Sequence, residues 1–330
     1  MRRREFITLL AGGAAAWPLS TRAQQSDRMR LIGVLMGYAE SDPAVQSEVA
    51  GFRGALAKLG WTEGSNLRIE LRWSAGDADR IRTLAKELID LRPDAILGQT
   101  TPVTGALARE TRTIPIVFVA VSDPIASGFA VGLARPGGNV TGFAQNESAM
   151  GGKWVELLKE IAPRTVRIAL LFNPPTAPPL KVYMPSIQAA ASSFAIQAIA
   201  APVHASDEIE GIIATQARDP GGGLIVMPGA FNTINRDRII ALAARYGMPA
   251  IYSNRFFTDS GGLISYGADR PEQARQAAGY IDRILKGAEP ADLPIQQPTK
   301  FEFMINAKTA KELGLDVPLH LQRSADEVIE

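Results

Sequence analysis

Short apolar segments that end in polar residues recur along this sequence, and they constrain its fold more than any other feature. Residues 116–121 (IVFVAV) are apolar at every position and are followed by Ser122-Asp123-Pro124. An earlier apolar segment, residues 95–97, ends in Gln-Thr-Thr-Pro, and a helix-compatible stretch separates the two segments. Strands that are apolar on both faces are typical of parallel sheets covered by helices on both sides. The two segments therefore predict one βαβ unit of an α/β fold.

The alternation of strand and helix continues over most of the chain in two successive sets. Further strands are predicted at residues 30–36, 66–73, 140–143, 167–172, 196–200, 224–227 and 250–252. In the second set the strands recur about every thirty residues, which is the length of one βα unit. Because 330 residues are more than one core comfortably serves, we predict two similar three-layer α/β lobes with parallel sheets.

The C-terminal part of the sequence is too short to form a third lobe. It offers a strand, a helix, a proline-interrupted linker and a second strand, at residues 262–266, 271–286, 290–298 and 300–305. We expect these elements to add edges to the two lobes, so the chain must cross between them repeatedly. The predicted division assigns residues 1–25 to a targeting segment, 29–145 with 256–290 to the N-terminal lobe, and 146–255 with 291–330 to the C-terminal lobe.

The first 25 residues have the features of an export signal. The run Arg2-Arg3-Arg4 precedes an apolar stretch at residues 7–17, and Thr21-Arg22-Ala23 offers a small-x-Ala cleavage site. The alternatives are a general secretory signal or an anchored N-terminal helix. The chain has no cysteine, which excludes a lipid anchor on cysteine, disulfides and thiolate chemistry. We predict export by a twin-arginine signal to the periplasm, without a lipid anchor.

Composition and motifs argue against an enzyme and against a nucleic-acid partner. The net charge is +1, and no basic patch stands out after the N-terminal segment. The two histidines, His204 and His320, are far apart, so neither a histidine-based triad nor a histidine-rich metal site can be assembled. Neither GxGxxG nor GxxxxGK[ST] occurs, so the sequence offers no phosphate-binding loop. We therefore expect no catalytic residues, no metal and no cofactor.

Polar residues at two neighbouring strand ends are the first candidates for ligand binding. Thr100 and Thr101 follow one predicted strand, and Ser122 and Asp123 follow the next. Thr101-Pro102 fits the start of a helix, whose free N–H groups and positive dipole end favour a carboxylate. Asp123 could bind an ammonium group. The alternative is that these residues only cap helices and turn the chain.

Aromatic and amide side chains at other strand ends are a second set of candidates. Tyr38 follows the first predicted strand, whereas Phe231 and Asn254 follow strands of the second lobe. Aromatic rings interleaved with small polar residues can enclose an apolar or aromatic group while they hydrogen-bond a polar head. The alternative for each aromatic residue is packing in the core. The sequence thus favours recognition of a small molecule over chemistry.

Several longer motifs carry a resemblance to a known family. They are TIPIVF and SDP within residues 113–124, LARPGGNVTGF at 133–143, GGLIVMP at 222–228, GGLISYG at 261–267 and NAKTA at 306–310. Together with the export signal they resemble the ABC transporter substrate-binding protein family that includes the tryptophan-type binding proteins. The resemblance covers nearly the whole mature chain. It implies the type I periplasmic binding fold, in which two lobes joined by a three-segment hinge hold a ligand in the cleft between them.

The resemblance also implies which residues contact the ligand. The residues that match the family pattern are Thr100, Thr101, Ser122, Asp123, Asn146, Phe231 and Asn254. Gly229-Ala230 stands where similar sequences have an aspartate before the aromatic residue, which removes one ammonium contact from the second lobe. The implied ligand is an aromatic or branched amino acid, or alternatively an aromatic carboxylate.

The implied function is the periplasmic solute-binding component of an ABC uptake transporter. Its partners would be a small organic solute and an ABC permease in the inner membrane, with no nucleic acid, and it would act as a monomer whose lobes close on the ligand. The alternative is a periplasmic sensor module that signals ligand occupancy to a membrane receptor. An intracellular regulator with the same fold would carry a helix-turn-helix where this chain has an export signal.

Overall fold

A computed structural model describes residues 28–145, 147–175 and 180–330 of the protein. The predicted export signal and the candidate residue Asn146 lie outside these described residues. Within them, no helix combines the length and the apolar character that crossing a membrane requires.

The strands of the described chain form a five-stranded and a seven-stranded sheet. The strands are β1 (Arg30–Met36), β2 (Leu67–Trp73), β3 (Ala95–Gln99), β4 (Ile116–Val121), β5 (Val140–Ala144), β6 (Arg167–Phe172), β7 (Gln197–Pro202), β8 (Gly222–Val226), β9 (Ala250–Tyr252), β10 (Ile264–Ala268), β11 (Phe301–Asn306) and β12 (Glu327–Ile329). The sheet orders are β2-β1-β3-β4-β5 and β12-β11-β10-β9-β8-β6-β7. The arrangement β7-β6-β8-β9-β10 repeats the order of the first sheet, so the prediction of two similar α/β lobes is confirmed.

Helices cover both faces of each sheet. They are α1 (Pro43–Lys58), α2 (Ala78–Asp90), α3 (Thr101–Glu110), α4 (Met150–Ile161), α5 (Met184–Ser193), α6 (Glu208–Ala217), α7 (Ala230–Ile234), α8 (Arg236–Arg245), α9 (Arg255–Asp259), α10 (Arg270–Leu285), α11 (Ala307–Glu312) and α12 (Leu319–Ser324). In the first lobe α1 and α10 share one apolar core, and α2 and α3 share the core on the other face. The second lobe has the same three layers, with α4 and α5 on one face and α6 and α8 on the other.

Local sequence explains where the long helices begin. Asp42 precedes α1 with an extended backbone, and its side chain accepts a hydrogen bond from the N–H of Ala44. Pro43 occupies the first helical position, where its missing N–H costs nothing. Asp77 and Asp269 cap α2 and α10 in the same way. These caps leave each helix starting at the carboxyl end of the preceding strand, which is where the candidate residues lie.

One strand–helix unit of the C-terminal region is divided between the two lobes. β10 pairs in parallel with β9 of the second sheet, whereas α10 packs on α1 of the first lobe. The predicted assignment of residues 256–268 to the N-terminal lobe is therefore wrong. Gly267 makes this pairing possible, because a Cβ at that position would collide with the backbone carbonyl of Ser253 at the end of β9.

The last boundary between the lobes also lies further along the chain than the sequence predicts. Leu293 and Ile295 are buried in the cores of the first lobe, so residues 291–295 belong there and not to the C-terminal lobe. β11 then enters the second sheet antiparallel to β10, so that sheet is mixed where a purely parallel one is predicted. A strand that returns from the other lobe enters from the opposite end of the sheet, which sets its direction.

The described chain thus crosses between the lobes after β5, around Asp269, and at residues 296–300. These crossing segments are hydrogen-bonded to one another. The Ala144 N–H donates to the Gln296 carbonyl at 2.8 Å, and the Asp269 N–H donates to the Lys300 carbonyl at 3.3 Å. The Lys300 ammonium adds an ion pair to the Asp269 carboxylate at 2.8 Å. The chain therefore passes between the lobes along one side only.

Candidate functional site

The predicted ligand residues of the first lobe meet at one edge of its sheet. Tyr38 follows β1, Thr100 and Thr101 follow β3, and Ser122 and Asp123 follow β4. β3 is paired in parallel with both β1 and β4, so the carboxyl ends of these strands lie side by side. This is the edge at which ligands bind in parallel α/β sheets.

The predicted residues of the second lobe lie at the corresponding edge of its sheet. Phe231 is in α7, directly after β8, and Asn254 follows β9, the parallel neighbour of β8. The sequence analysis did not predict α7 or α9, the short helices that carry or follow these residues. Phe231 is half-buried, whereas Asn254 is buried.

Contacts between the lobes show that the two edges face each other. The Asp42 carboxylate lies 2.7 Å from the Arg236 guanidinium, and the Gln145 Nε2 amide donates to Asn254 Oδ1 at 3.1 Å. Gln145 directly follows β5, Asn254 follows β9, and Asp42 and Arg236 lie at the starts of α1 and α8, on the carboxyl side of β1 and β8. The strand-end residues therefore border one cleft between the lobes.

Thr100 is the most strained of the candidate residues. Its φ is +83°, a left-handed value that costs a threonine free energy, and such strain is typical of functional sites. Its Oγ1 atom is buried without a hydrogen-bond partner among the described residues. No side chain caps α3, which begins at Thr101, and Thr100 occupies the capping position. The N-terminal turn of α3 thus presents polar groups that an anionic group could satisfy.

Asp123 holds its own loop as well as bordering the cleft. Its Oδ1 accepts the Ala126 N–H at 2.8 Å, which stabilises the turn that begins at Pro124. Both Asp123 and Ser122 are half-buried. Among the described residues, no lysine or arginine forms an ion pair with Asp123. Its carboxylate therefore keeps a charge that a cationic group in the cleft could neutralise.

Asn254 is occupied by contacts within the protein. Its Oδ1 accepts from Gln145, and its Nδ2 donates to the Ser253 hydroxyl at 3.2 Å. Gln145 directly follows β5, so the Asn254 side chain links the second lobe to the point where the chain leaves the first. This role explains its burial without any ligand.

A buried ion pair that the sequence analysis missed lies under Tyr38. Arg270, the first residue of α10, lies 3.0 Å from the Glu48 carboxylate of α1, and both side chains are only 2% exposed. The Arg270 guanidinium carbon is 5.1 Å from the centre of the Tyr38 ring. Burial raises the pKa of the Glu48 carboxyl, and the adjacent guanidinium opposes that shift. Burial lowers the pKa of Arg270, but the combined effects of Glu48, Tyr38 and Asp42 outweigh it, so the pKa is raised.

Glu48 could have been recognised from its position in the sequence. It lies on the same helical face as the buried residues Val45, Val49 and Phe52 of α1. A carboxylate on an apolar face requires a buried partner. The identity of that partner, Arg270, could not be read from the sequence because it is 222 residues away.

The opposite side of the cleft, far from the crossing segments, is closed by a second ion pair. Asp42 follows β1 and Arg236 begins α8, and their side chains are 10% and 16% exposed. Beside them Gly76, which follows β2, packs so closely on Ile234 of α7 that a Cβ would collide with its terminal methyl group. β1 and β2 are the strands furthest from β5, where the chain leaves the lobe. These contacts therefore lie at the mouth of the cleft.

Metal ligands are not clustered in this cleft. Across residues 28–145, 147–175 and 180–330, no group of histidine, aspartate and glutamate side chains is arranged to hold a metal ion. The polar groups at the strand ends are hydroxyls, amides and carboxylates. They are suited to hydrogen-bonding and charge-pairing with a small organic molecule.

Comparison with known proteins finds substrate-binding relatives and structures that match nearly the whole chain. A curated relative is the Tyrosine-binding protein of Clostridioides difficile (strain R20291), which is 25% identical over 337 residues that cover 96% of this chain and 94% of that protein. A solved ABC domain from Streptococcus pneumonia in complex with L-Trp is 26% identical, with a TM-score of 0.84 over 91% of this chain and 99% of that one. A conserved domain protein from Vibrio cholerae is 25% identical, with a TM-score of 0.82 over 91% of this chain and 100% of that one.

A family model agrees with these similarities. The model described as ABC transporter substrate binding protein matches residues 36–329, which cover both lobes apart from most of β1 and include all of the crossing segments. The fold expected from the sequence, the type I periplasmic binding fold, is confirmed by the same structures. The chain therefore belongs to the ABC transporter substrate binding protein family, and it is a substrate-binding protein and not an enzyme.

Proposed function

We propose that this protein is the periplasmic receptor of an ABC uptake transporter and that it binds an aromatic L-amino acid between its lobes. Two observations together carry this proposal. The chain is similar over 91% of its length to a domain solved in complex with L-Trp, and its cleft is bordered by Tyr38, Thr100 and Asp123. The similarity to a Tyrosine-binding protein supports the same ligand class.

The charges of the cleft support a zwitterionic ligand. Asp42 is paired with Arg236, and Glu48 is paired with Arg270, so these four charges cancel within the protein. Asp123 remains for the ligand ammonium group. The uncapped N-terminus of α3 remains for the carboxylate, because free N–H groups and the helix dipole stabilise an anion. Tyr38 and Phe231 would contact the side chain, with Ser122, Thr101 and Asn146 as further polar contacts.

The lobes would close on the ligand by rotation about the crossing segments. A ligand held by both lobes binds the closed arrangement better than the open one, and that difference in affinity shifts the population. Closure also gives an inner-membrane permease a shape by which to distinguish loaded from empty receptor. A sensor that passes the same shape change to a membrane receptor is the second candidate. A permease gene next to the gene of this protein would favour transport over sensing.

Native mass spectrometry and calorimetric titration test the ligand proposal. Native mass spectrometry of the purified protein is expected to show a copurified mass or, after unfolding and refolding, a one-to-one complex with added L-tryptophan or L-tyrosine. Calorimetric titration should then rank these two above L-leucine and above indole-3-acetate, which lacks the ammonium group. Binding of neither aromatic amino acid, or equal binding of indole-3-acetate, would contradict the proposal.

Asp123→Asn is expected to weaken L-tryptophan binding by about 2–5 kcal/mol, the usual loss when one partner of a buried charge pair is removed. Thermal stability should change little, because an asparagine Oδ1 can still accept the Ala126 N–H. Calorimetric titration and thermal unfolding measure the two effects. Asp326→Asn is the matched control, since Asp326 also accepts one backbone N–H, from Phe303, in the second lobe. Equal losses of binding and stability at Asp123 would assign it to the loop alone.

Export through the twin-arginine pathway is proposed for the N-terminal segment. Changing Arg3→Lys together with Arg4→Lys is expected to keep the precursor in the cytoplasm, because the receptor of that pathway recognises the arginine pair. Cell fractionation with an antibody against the protein measures the distribution. Periplasmic accumulation of the double-lysine variant at the wild-type level would exclude this pathway and favour general secretion.

A further inference from the structure

Arg270 is contacted by aromatic rings from both lobes. Its guanidinium carbon lies 5.1 Å from the centre of the Tyr38 ring in the first lobe and 4.8 Å from that of Phe256 in the second. Both rings are at least nine-tenths buried. A cation between two ring faces is attracted by both of them, and more strongly where water is excluded. Arg270 is therefore a contact shared by the lobes, at the start of the helix that follows a crossing.

The same guanidinium begins a chain of buried polar contacts that leads to the end of β1. Arg270 pairs with Glu48, and the Glu48 Oε2 atom accepts a hydrogen bond from Gln99 Nε2 at 2.6 Å. Gln99 in turn accepts the Gly37 N–H through its Oε1 atom at 3.1 Å. Gln99 and Gly37 directly precede Thr100 and Tyr38 in the chain. The orientation of the strand ends is thus tied to Arg270.

Close packing makes the strand ends sensitive to this network. A Cβ at Gly37 would lie 2.7 Å from both the Oγ1 and Cγ2 atoms of Thr100, so the two residues are already in tight contact. Thr100 is held in its strained conformation, and such conformations persist only where the surroundings enforce them. Loss of the Gln99 contacts would release Gly37 and relax Thr100. The candidate ligand contacts on β1 and β3 would then lose their relative placement.

We propose that Arg270 is a positioning residue of the ligand site. Through Glu48 and Gln99 it fixes the Gly37–Tyr38 and Thr100 segments, and through Phe256 it ties that arrangement to the second lobe. This inference rests on the proposed function for its binding readout. It does not place Arg270 in contact with the ligand, because its side chain is buried under Tyr38.

Two variants test separately the contacts of Arg270 within the first lobe and its contact with Phe256 of the second lobe. Arg270→Lys keeps a positive charge near Glu48 but removes the planar group that stacks on both rings. Phe256→Leu removes only the contact from the second lobe and leaves the first-lobe network intact. Arg275→Lys in the same helix is the matched control, because Arg275 forms an exposed ion pair with Glu272. Neither Arg270 nor Phe256 is among the residues to which we assign ligand contacts.

The first readout is hydrogen exchange without any ligand. In Arg270→Lys the Gly37 amide is expected to exchange at least tenfold faster than in the wild type, whereas in Phe256→Leu and in Arg275→Lys it should stay within twofold. This arm needs no binding and therefore decides the positioning role even if the proposed function fails. An unchanged Gly37 exchange rate in Arg270→Lys would overturn the inference. If that variant does not fold, Arg270→Met takes its place, with the same expected rate for Gly37.

The second readout is the kinetics of L-tryptophan binding. Arg270→Lys is expected to weaken affinity about tenfold or more, and Phe256→Leu should act mainly by faster dissociation, because it loosens the contact between lobes. Arg275→Lys should bind as the wild type does. Wild-type affinity in both test variants would overturn the inference. Failure of the wild type to bind L-tryptophan or L-tyrosine would instead contradict the proposed function and leave the exchange result to decide the role of Arg270.

Discussion

Glu48→Gln is expected to lower the free energy of unfolding by about 3–5 kcal/mol, the loss typical of breaking a buried ion pair by removing one charge. The new side chain has nearly the same shape and can still accept from Gln99, so packing is preserved. What changes is that the Arg270 guanidinium, 2% exposed, keeps its charge without a counter-charge. Urea denaturation followed by circular dichroism measures the effect.

The control for this prediction lies in α10 itself. Glu272→Gln breaks the ion pair with Arg275, whose side chain is 44% exposed, and should cost about 0–1 kcal/mol because solvent screens it. Adding Arg270→Met to Glu48→Gln should recover much of the lost stability, since replacing both buried charges removes the uncompensated one. A loss at Glu48 no larger than that at Glu272 would contradict the structural role of the pair.

Asp42→Asn is expected to weaken L-tryptophan binding by about 2 kcal/mol, or about thirtyfold. The asparagine amide oxygen can still accept the Ala44 N–H that the Asp42 carboxylate accepts, so the cap of α1 is kept, but the charge that Arg236 contacts across the mouth of the cleft is lost. Because the pair joins the lobes only when they are close together, its loss disfavours closure and not the fold of either lobe. Calorimetric titration measures the affinity, and thermal unfolding should be nearly unchanged.

A double-mutant cycle separates the pair from its individual charges. Arg236→Gln and the combined variant should bind about as weakly as Asp42→Asn, because one interaction is lost in all three. The effect should shrink in high salt, which screens partly exposed pairs. Glu210→Gln, which breaks an ion pair with Arg245 within the second lobe, is the control and should leave affinity unchanged. Additive losses at Asp42 and Arg236 would show that the two charges do not act as a pair.

The strands and long helices could be predicted because their signals are local. The apolar segments of β1, β4, β6 and β9 predict those strands with the observed bounds, and Asp42-Pro43 predicts the start of α1. The placement of β10 and α10 in different lobes could not be predicted, because the local sequence pattern of a strand followed by a helix is the same whether or not both elements pack in one lobe. The pairing of β10 with β9 is decided by tertiary contacts, including the close approach at Gly267.

The edges that border the cleft were predictable, but the contacts that hold them were not. Parallel pairing brings Tyr38, Thr100 and Asp123 to one edge, as the sequence implies. Asp42 and Arg236 are separated by 194 residues, and each alone resembles an ordinary helix-terminus charge. The assignment of Tyr38, Thr100, Thr101, Ser122, Asp123, Asn146, Phe231 and Asn254 to ligand binding stays a prediction, to which the internal contacts of Asn254 add a structural alternative.

The division of the strand–helix unit between lobes has a consequence for synthesis on the ribosome. Domains usually fold in order as the N-terminal part of a chain emerges. Here the core of the first lobe needs α10 and Ile295, which are made after β6 to β10 of the second lobe. The second lobe in turn needs β11 and β12, and β12 ends at Ile329. Neither lobe can mature before these late segments have been synthesised, so a nascent chain carries two unfinished cores at once, and their apolar surfaces stay exposed until residues 270–295 and 301–329 have left the ribosome.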